Sequence, residues 1–285
     1  MNIEITIDTS LYICPLCDSA LNHQTVNNTY TCANLHSFDC AKEGYINLLP
    51  VQHKHSKEPG DNKIMLNARR SFLEAGFYEP LAKAIALMID VVQPQQQTST
   101  LLDLGCGEGY YTRKISAFCK RAEQIKLYGN DISKFAIAAA AKKQKSAQFI
   151  VASSNKLPYA TDAFNIVVRV FAPSDNAELL RVLKPSGYLM TVTPGPRHLW
   201  QLKEHIYSDV KEHAEETEIP EGFTQLSSQR ISYKINPDTE QRDALLQMTP
   251  FAWSANAAIK ENLHKLTELS IEADFIVTLL TSGKL

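Results

Sequence analysis

The chain has 285 residues, 44% of them hydrophobic and 21% charged, the balance of an ordinary water-soluble protein of one large or two small domains. No apolar run approaches the ~20 residues a membrane span needs, and Met1-Asn2-Ile3-Glu4 opens neither a basic nor an apolar leader, so a cytoplasmic address and no membrane partner are expected. The net charge of −2 excludes a globally basic nucleic-acid binder, yet it averages over an uneven chain: residues 1–39 carry −4, residues 40–70 carry +3 and residues 71–285 carry −1.

In a reducing compartment the six cysteines are ligands or free thiols rather than disulfides. Cys14-Pro15-Leu16-Cys17 and Cys32-Ala33-Asn34-Leu35-His36 give C-x2-C and C-x3-H turns with a hairpin-length segment between them. Each turn presents two ligands to one tetrahedral zinc. Cys14, Cys17, Cys32 and His36 would fill all four positions, so the metal is structural and leaves no place for a hydrolytic water. A module of about forty residues buries little core, and the metal supplies folding free energy on the order of 10 kcal/mol. Cys40 is a rival ligand, but its spacing from Cys32 makes a poor knuckle, and a buried thiol is expected there.

Residues 40–50 read as a joint between modules, and 54–61, with Pro59-Gly60, as an exposed loop. The local basic stretch from Lys54 to Arg70 suits nucleic-acid phosphates or, equally, a solvated face. The spacing predicts a helix over 62–72, a break at Tyr78-Glu79-Pro80, and a second helix over 81–91. This pair is expected to lie over the edge of a cofactor site.

Leu101-Leu102-Asp103-Leu104-Gly105-Cys106-Gly107-Glu108-Gly109-Tyr110 carries the most information. A buried strand runs into an acid and three alternate glycines, which let the backbone turn with positive φ and a ligand come close. The dinucleotide fingerprint needs glycine where Tyr110 stands. D-x-G-x-G-x-G resembles instead the first motif of S-adenosylmethionine (SAM)-dependent methyltransferases with a Rossmann-like fold. That assigns Asp103, Gly105, Gly107 and Glu108 to the cofactor; the bland alternative is a turn with no ligand. Cys106 and, in the following helix, Cys119 are expected to serve as small apolar side chains.

A helix over 110–119 leads to a strand over 126–131 that ends in Asp131. An acid at that tip is placed to accept from ribose hydroxyls; a helix cap, with Ser133 as rival, is the plainer role. A helix over 134–145 and a strand over 148–152 follow, and Ser153-Ser154-Asn155 falls where an adenine amino group would be read. A fourth strand over 165–170 ends at Phe171-Ala172-Pro173-Ser174. Next come a helix over 178–183, a turn over 184–187 and a fifth strand over 188–192. The alternation predicts an α/β chain with a mostly parallel sheet covered on both faces. Beyond it are expected a polar helical segment from 194 to about 218, a strand over 229–235, a helix over 239–248 and a final strand over 274–281. The aromatic turn Met248-Thr249-Pro250-Phe251-Ala252-Trp253 reads as core packing.

Together these segments resemble the large-subunit (23S) ribosomal RNA guanine-N1 methyltransferases of the RlmA type, nearly end to end. The specific stretches are Ala41-Lys42-Glu43-Gly44-Tyr45, Asn47-Leu48-Leu49-Pro50, Ala68-Arg69-Arg70, Thr193-Pro194-Gly195-Pro196-Arg197-His198 and Leu246-Gln247-Met248-Thr249-Pro250-Phe251-Ala252-Trp253. The resemblance implies a Rossmann-like class I SAM-dependent methyltransferase fold behind a small N-terminal zinc-binding module. The division is 1–50 for the zinc module, 51–98 for linker and lid helices, and 99–285 for the methyltransferase domain. It implies zinc at the four ligands above, SAM contacts at Tyr78, Gly107, Glu108 and His198, and large-subunit ribosomal RNA as partner, with a homodimer left open. No general base is identified. The N-P-P-Y-type loop is replaced by Ala172-Pro173-Ser174-Asp175, and Asp175 is the only nearby carboxylate to stand as a candidate. The competing readings are a methyltransferase of the same fold acting on a small molecule or protein, and a non-enzymatic zinc-dependent RNA-binding adaptor.

Overall fold

The computed structural model describes residues 11–50, 60, 62–94, 97–215 and 218–284. Of the predicted loop over 54–61 only Gly60 is among them. Three short strands, β1 (Leu21–Gln24), β2 (Thr29–Cys32) and β3 (Ser37–Asp39), pair antiparallel in that order. The joint contributes β4 (Ile46–Asn47). Then follow α1 (Lys63–Glu74), α2 (Glu79–Val92), β5 (Ser99–Leu104), α3 (Tyr110–Phe118), β6 (Ile125–Asp131), α4 (Lys134–Lys143), β7 (Ala147–Val151), β8 (Phe164–Val170), α5 (Asn176–Val182) and β9 (Leu183–Pro194). The C-terminal part supplies α6 (Trp200–Glu204), β10 (Phe223–Ile235), α7 (Thr239–Gln247), α8 (Ala257–Lys265) and β11 (Ile271–Ser282).

The large sheet has the order β10-β11-β9-β8-β5-β6-β7-β4. Strands β4 to β9 run parallel, and β11 is antiparallel to both of its neighbours. All six residues of β5 are buried, as expected of a strand covered on both faces. Helix starts follow their caps. The Asn62 side chain accepts from the Ile64 and Met65 amides at α1, Ser133 caps α4, and Asp238 forms a capping box with Gln241 at α7.

The zinc module does not hang free. Tyr12, Cys14, Leu21, Tyr30 and Cys32 share one buried cluster with Leu102, Leu104, Tyr128 and Ile150. The Ile13 amide donates to the Pro158 carbonyl at 3.1 Å, and the Ala160 amide to that of Leu11 at 2.8 Å. Strand β4 makes the joint itself an edge strand, paired parallel with β7.

Three expectations change. The polar helix over 194–218 is reduced to α6: Leu199 enters it with φ 57, and residues 208–215 are almost wholly exposed, with no apolar stripe to pack a helix against. The turn over 184–187 is part of β9, where a register shift against β8 absorbs it. Cys40 is half-buried rather than buried, while Cys106 and Cys119 are buried as expected. Helix α8, which the sequence reading did not assign, starts at the Asn256 cap and buries only Leu263.

Candidate functional site

The four predicted zinc ligands converge: the Sγ atoms of Cys14, Cys17 and Cys32 and a ring nitrogen of His36 all lie within 4.8 Å of one another. Cys17 Sγ is 3.7 Å from Cys32 Sγ, and His36 Nδ1 is 3.4 Å from Cys14 Sγ and 3.5 Å from Cys32 Sγ. A regular tetrahedron about zinc, with Zn–S of about 2.3 Å and Zn–N of about 2.0–2.1 Å, has edges of about 3.8 Å between sulfurs and about 3.5 Å from sulfur to nitrogen. The donor set therefore fits Zn2+, with Nδ1 as the imidazole ligand. Two backbone turns set this up: Asp18 N–H donates to the Cys14 carbonyl and Leu35 N–H to the Cys32 carbonyl. Cys40 lies outside the cluster.

At the carboxyl edge of the parallel strands, where open α/β sheets take ligands, a cavity of about 770 Å³ opens. Tyr78, Asp103, Gly105, Gly107, Glu108, Asp131 and His198 all line it. Gly105, Gly107 and Gly109 have φ of 70, 56 and 75, which L side chains rarely adopt. A Cβ on Gly105 would stand 2.5 Å from Ala172 Cβ, so the loop after β8 rests directly against the glycine turn. A Cβ on Gly107 would meet no atom within 4 Å; the open space lies on the cavity wall.

Asp131 accepts from the Gly107 amide through Oδ2 at 3.0 Å and from the Ser133 amide through Oδ1 at 2.8 Å. Each carboxylate oxygen holds further lone pairs, so this bracing of the loop leaves acceptor capacity for a ligand. Beside it Asn130 is fully buried, lines the cavity, and has no hydrogen-bond partner for Oδ1 or Nδ2 among the described residues. A buried amide with no partner costs about 1–3 kcal/mol per group, a cost that a polar ligand would remove. This orphan and the empty space over Gly107 are what a nucleoside-bearing cofactor fits. Asn130 was missed in the sequence because nothing distinguishes it from any other residue before a strand-tip acid.

Asp103 is 1% exposed and accepts from Thr112 Oγ1 at 2.5 Å. Burial, with the nearby Asp131 charge adding, pushes its carboxyl up to about 6. Glu108, which lines the cavity, has a buried carboxylate that pairs with Arg70 of α1 and, at 3.5 Å, with Lys143 of α4. It ties α1 to the glycine loop.

His198 is buried, and burial pushes its imidazole down to about 3, with Lys203 and His213 acting in the same direction. Its Nδ1 accepts from the Asp274 amide at 3.3 Å, so the neutral ring carries its proton on Nε2, 3.5 Å from Tyr78 Oη. Asp274, invisible to sequence reasoning, organises this corner. It is 0% exposed, takes two bonds from Arg230 at 2.8 and 2.9 Å, and accepts from the Arg197 amide at 2.9 Å. A Cβ on Gly195 would stand 2.5 Å from its Cγ; the glycine between two prolines was the one available signal. Asp175 is exposed and caps α5, accepting from the Glu178 amide at 3.0 Å, and is not among the residues lining the cavity.

Sheet order, glycine turn and strand-tip acid define a class I SAM-dependent methyltransferase, here carrying a zinc ribbon at its N-terminal end. Residues 12–57 match the family described as RlmA, N-terminal, and residues 95–252 match a methyltransferase domain. The YxjB protein of Bacillus subtilis, which bears the provisional name 23S rRNA (guanine-N(1)-)-methyltransferase, is 31% identical over 284 residues, covering 95% of this chain and 98% of that one. The 23S rRNA (guanine(748)-N(1))-methyltransferase of Streptomyces fradiae is 29% identical over 245 residues, covering 84% and 85%. The chain belongs to this family of 23S rRNA guanine-N1 methyltransferases, whose cofactors are SAM and Zn2+.

Proposed function

We propose that the protein transfers a methyl group from SAM to N1 of one guanine in large-subunit ribosomal RNA. The observation that carries this reading is the joining, in one folded core, of a four-ligand zinc set to a cavity lined by the glycine turn, the strand-tip acid and the Tyr78–His198 pair. The relatives' activity comes to this chain on that basis.

Asp131 would hold the ribose hydroxyls, Asn130 would satisfy its amide on the same ligand, and Ser153-Ser154-Asn155, which also line the cavity, would read the adenine edge. When bound, SAM supplies an electrophilic methyl on a sulfonium that departs as a neutral thioether. Tyr78 and His198 close the far end. Because His198 holds its proton on Nε2 and stays neutral, it serves as a donor and not as the base that removes the N1 proton. Guanine N1 lies on the pairing edge, so the base must leave its helix before transfer, and positioning the two reactants supplies most of the acceleration. The zinc ribbon and the cations of α1 would hold the RNA by shape and phosphate contacts. Ribosomal RNA as substrate implies the cytoplasm, in keeping with the finding that no described helix is long and apolar enough to cross a membrane.

The test is primer extension by reverse transcriptase across large-subunit rRNA incubated with the protein and SAM, on naked RNA and on subunits. The expected result is a single SAM-dependent stop next to one guanine, lost in Asp131→Ala. SAM binding without any stop on either substrate refutes the reading. Sedimentation of the purified protein reads whether it acts as a homodimer.

A further inference from the structure

Strand β8 ends at Val170, and the next residue breaks a rule. Phe171 has φ 54, a left-handed conformation that a bulky side chain adopts only when its surroundings force it. They do so here. Its amide donates to the Val192 carbonyl at 3.2 Å, Arg169 donates to Ser174 Oγ at 2.8 Å, and Ser154 Oγ donates to the Pro173 carbonyl at 2.6 Å. The result is an aromatic ring that lines the cavity and remains 42% exposed. It packs against His198, with centroids 5.8 Å apart and planes at 32°, and against Phe275 at 6.0 Å. The neighbouring Ala172 is the residue that abuts the glycine turn, so the ring stands beside the place where the methyl donor would lie.

The turn Pro250–Trp253 is core only in part: Met248 before it is buried and Phe251 packs against the main apolar cluster. None of its residues is buried, Trp253 is 81% exposed, and Pro250, Phe251 and Trp253 line the same cavity. A bond from Arg69 Nη2 to the Met248 carbonyl at 3.3 Å ties this wall to the lid helix. The Phe171 ring, backed by His198 and Phe275 yet 42% exposed, and the 81% exposed indole of Trp253 both turn flat apolar area to the same cavity. Nucleobases pulled out of a helix need such surfaces, because stacking replaces the neighbours they lose.

We infer that Phe171 is the platform on which the extruded guanine stacks during transfer, and that Trp253 stacks an unpaired base of the same RNA beside it. This rests on the rRNA reading above. The occupant is an unpaired base rather than an apolar peptide because both rings belong to the cavity that holds the glycine turn, where the acceptor atom must arrive.

Two measurements decide it. Phe171→Leu is expected to lower kcat/KM for rRNA by about 5- to 150-fold, the worth of one stacked base, while SAM affinity by calorimetry is unchanged, and Phe171→Tyr restores the rate. The chain has two tryptophans, so in Trp200→Phe the emission comes from Trp253 alone and is expected to quench when an rRNA fragment with the target guanine is added without SAM. If Phe171→Leu weakens SAM and kcat/KM in parallel, the ring serves the sulfonium and the proposal falls. It falls also if the Leu variant turns over normally, or if Trp253 emission is unmoved by RNA shown to be bound by filter retention. Wild-type protein that leaves no stop on rRNA overturns the functional reading itself; a wild-type stop with either failure above overturns only the stacking.

Discussion

Asp103→Asn should make the zinc-loaded, cofactor-free protein more stable at neutral pH. The native carboxyl is 1% exposed and held at about 6 by burial, against about 3.9 in an unfolded chain. Between those values the folded state binds more protons than the unfolded state, so stability falls as pH rises from about 4 to 6 and the penalty is complete above. Raising the carboxyl from about 4 to about 6 on folding is worth about 3 kcal/mol. Asparagine keeps the shape, carries no charge, and can still accept the Thr112 hydroxyl that donates to Asp103 at 2.5 Å. Linkage then gives the variant an advantage of about 1.5 kcal/mol at pH 5, growing to about 3 kcal/mol at pH 8. Urea unfolding of both proteins across that range measures the difference directly, with other titrating groups cancelling. An advantage that does not change with pH, or a variant less stable at pH 8, refutes the reasoning. The same substitution should weaken SAM binding, because a destabilising buried carboxylate on a cavity wall is retained for what it does there.

Removing zinc with a chelator, or Cys14→Ser, should abolish the near-ultraviolet circular dichroism of the whole chain and not only of the hairpin, since Tyr12, Tyr30 and Cys32 share a core with the sheet. Gly195→Ala should cost about 1–3 kcal/mol by pressing a methyl into the Asp274 carboxylate, and should weaken SAM binding through His198, both readable by denaturation and calorimetry. Arg70→Ala leaves the Glu108 carboxylate, 2% exposed, with Lys143 as its remaining ion-pair partner. Because Arg70 is itself 39% exposed, a loss below the ~3 kcal/mol of a fully buried pair is expected, and adding Glu108→Gln should recover part of it in thermal melts. His198, lowered to about 3, contributes stability that is present above its unfolded value of about 6.5 and is lost as pH falls toward 3. Between pH 7 and 9 His198→Gln should lower the methylation rate without changing the shape of its pH profile.

The residues that announced themselves in the sequence share one property: their chemistry depends on a local spacing. Cys14, Cys17, Cys32 and His36 are fixed by two tight turns, and Gly105, Gly107 and Asp131 by a strand, a turn and the next strand's tip. All of them stand where the spacing put them. Strands β5 to β8 were equally legible, because burial on both faces writes short, mostly apolar runs, whereas β4, an edge strand of two residues, was read as a joint. What stayed hidden depends on the tertiary fold. Asp274 belongs to a strand 79 residues after Gly195, and only the antiparallel pairing of β11 with β9 brings its carboxylate under that glycine and its amide to His198. Asn130 is an ordinary strand residue until the cavity leaves its amide without partners among the described residues. The aromatic turn was legible only in part for the same reason: Met248 and Phe251 do pack on the core, but Trp253 is 81% exposed, and nothing local says that a wall of the cavity passes beside it. His198 shows how the two kinds of information combine. Its resemblance-based assignment to SAM said that it matters, whereas its neutral state follows from burial and its tautomer from an amide donor supplied by a distant strand.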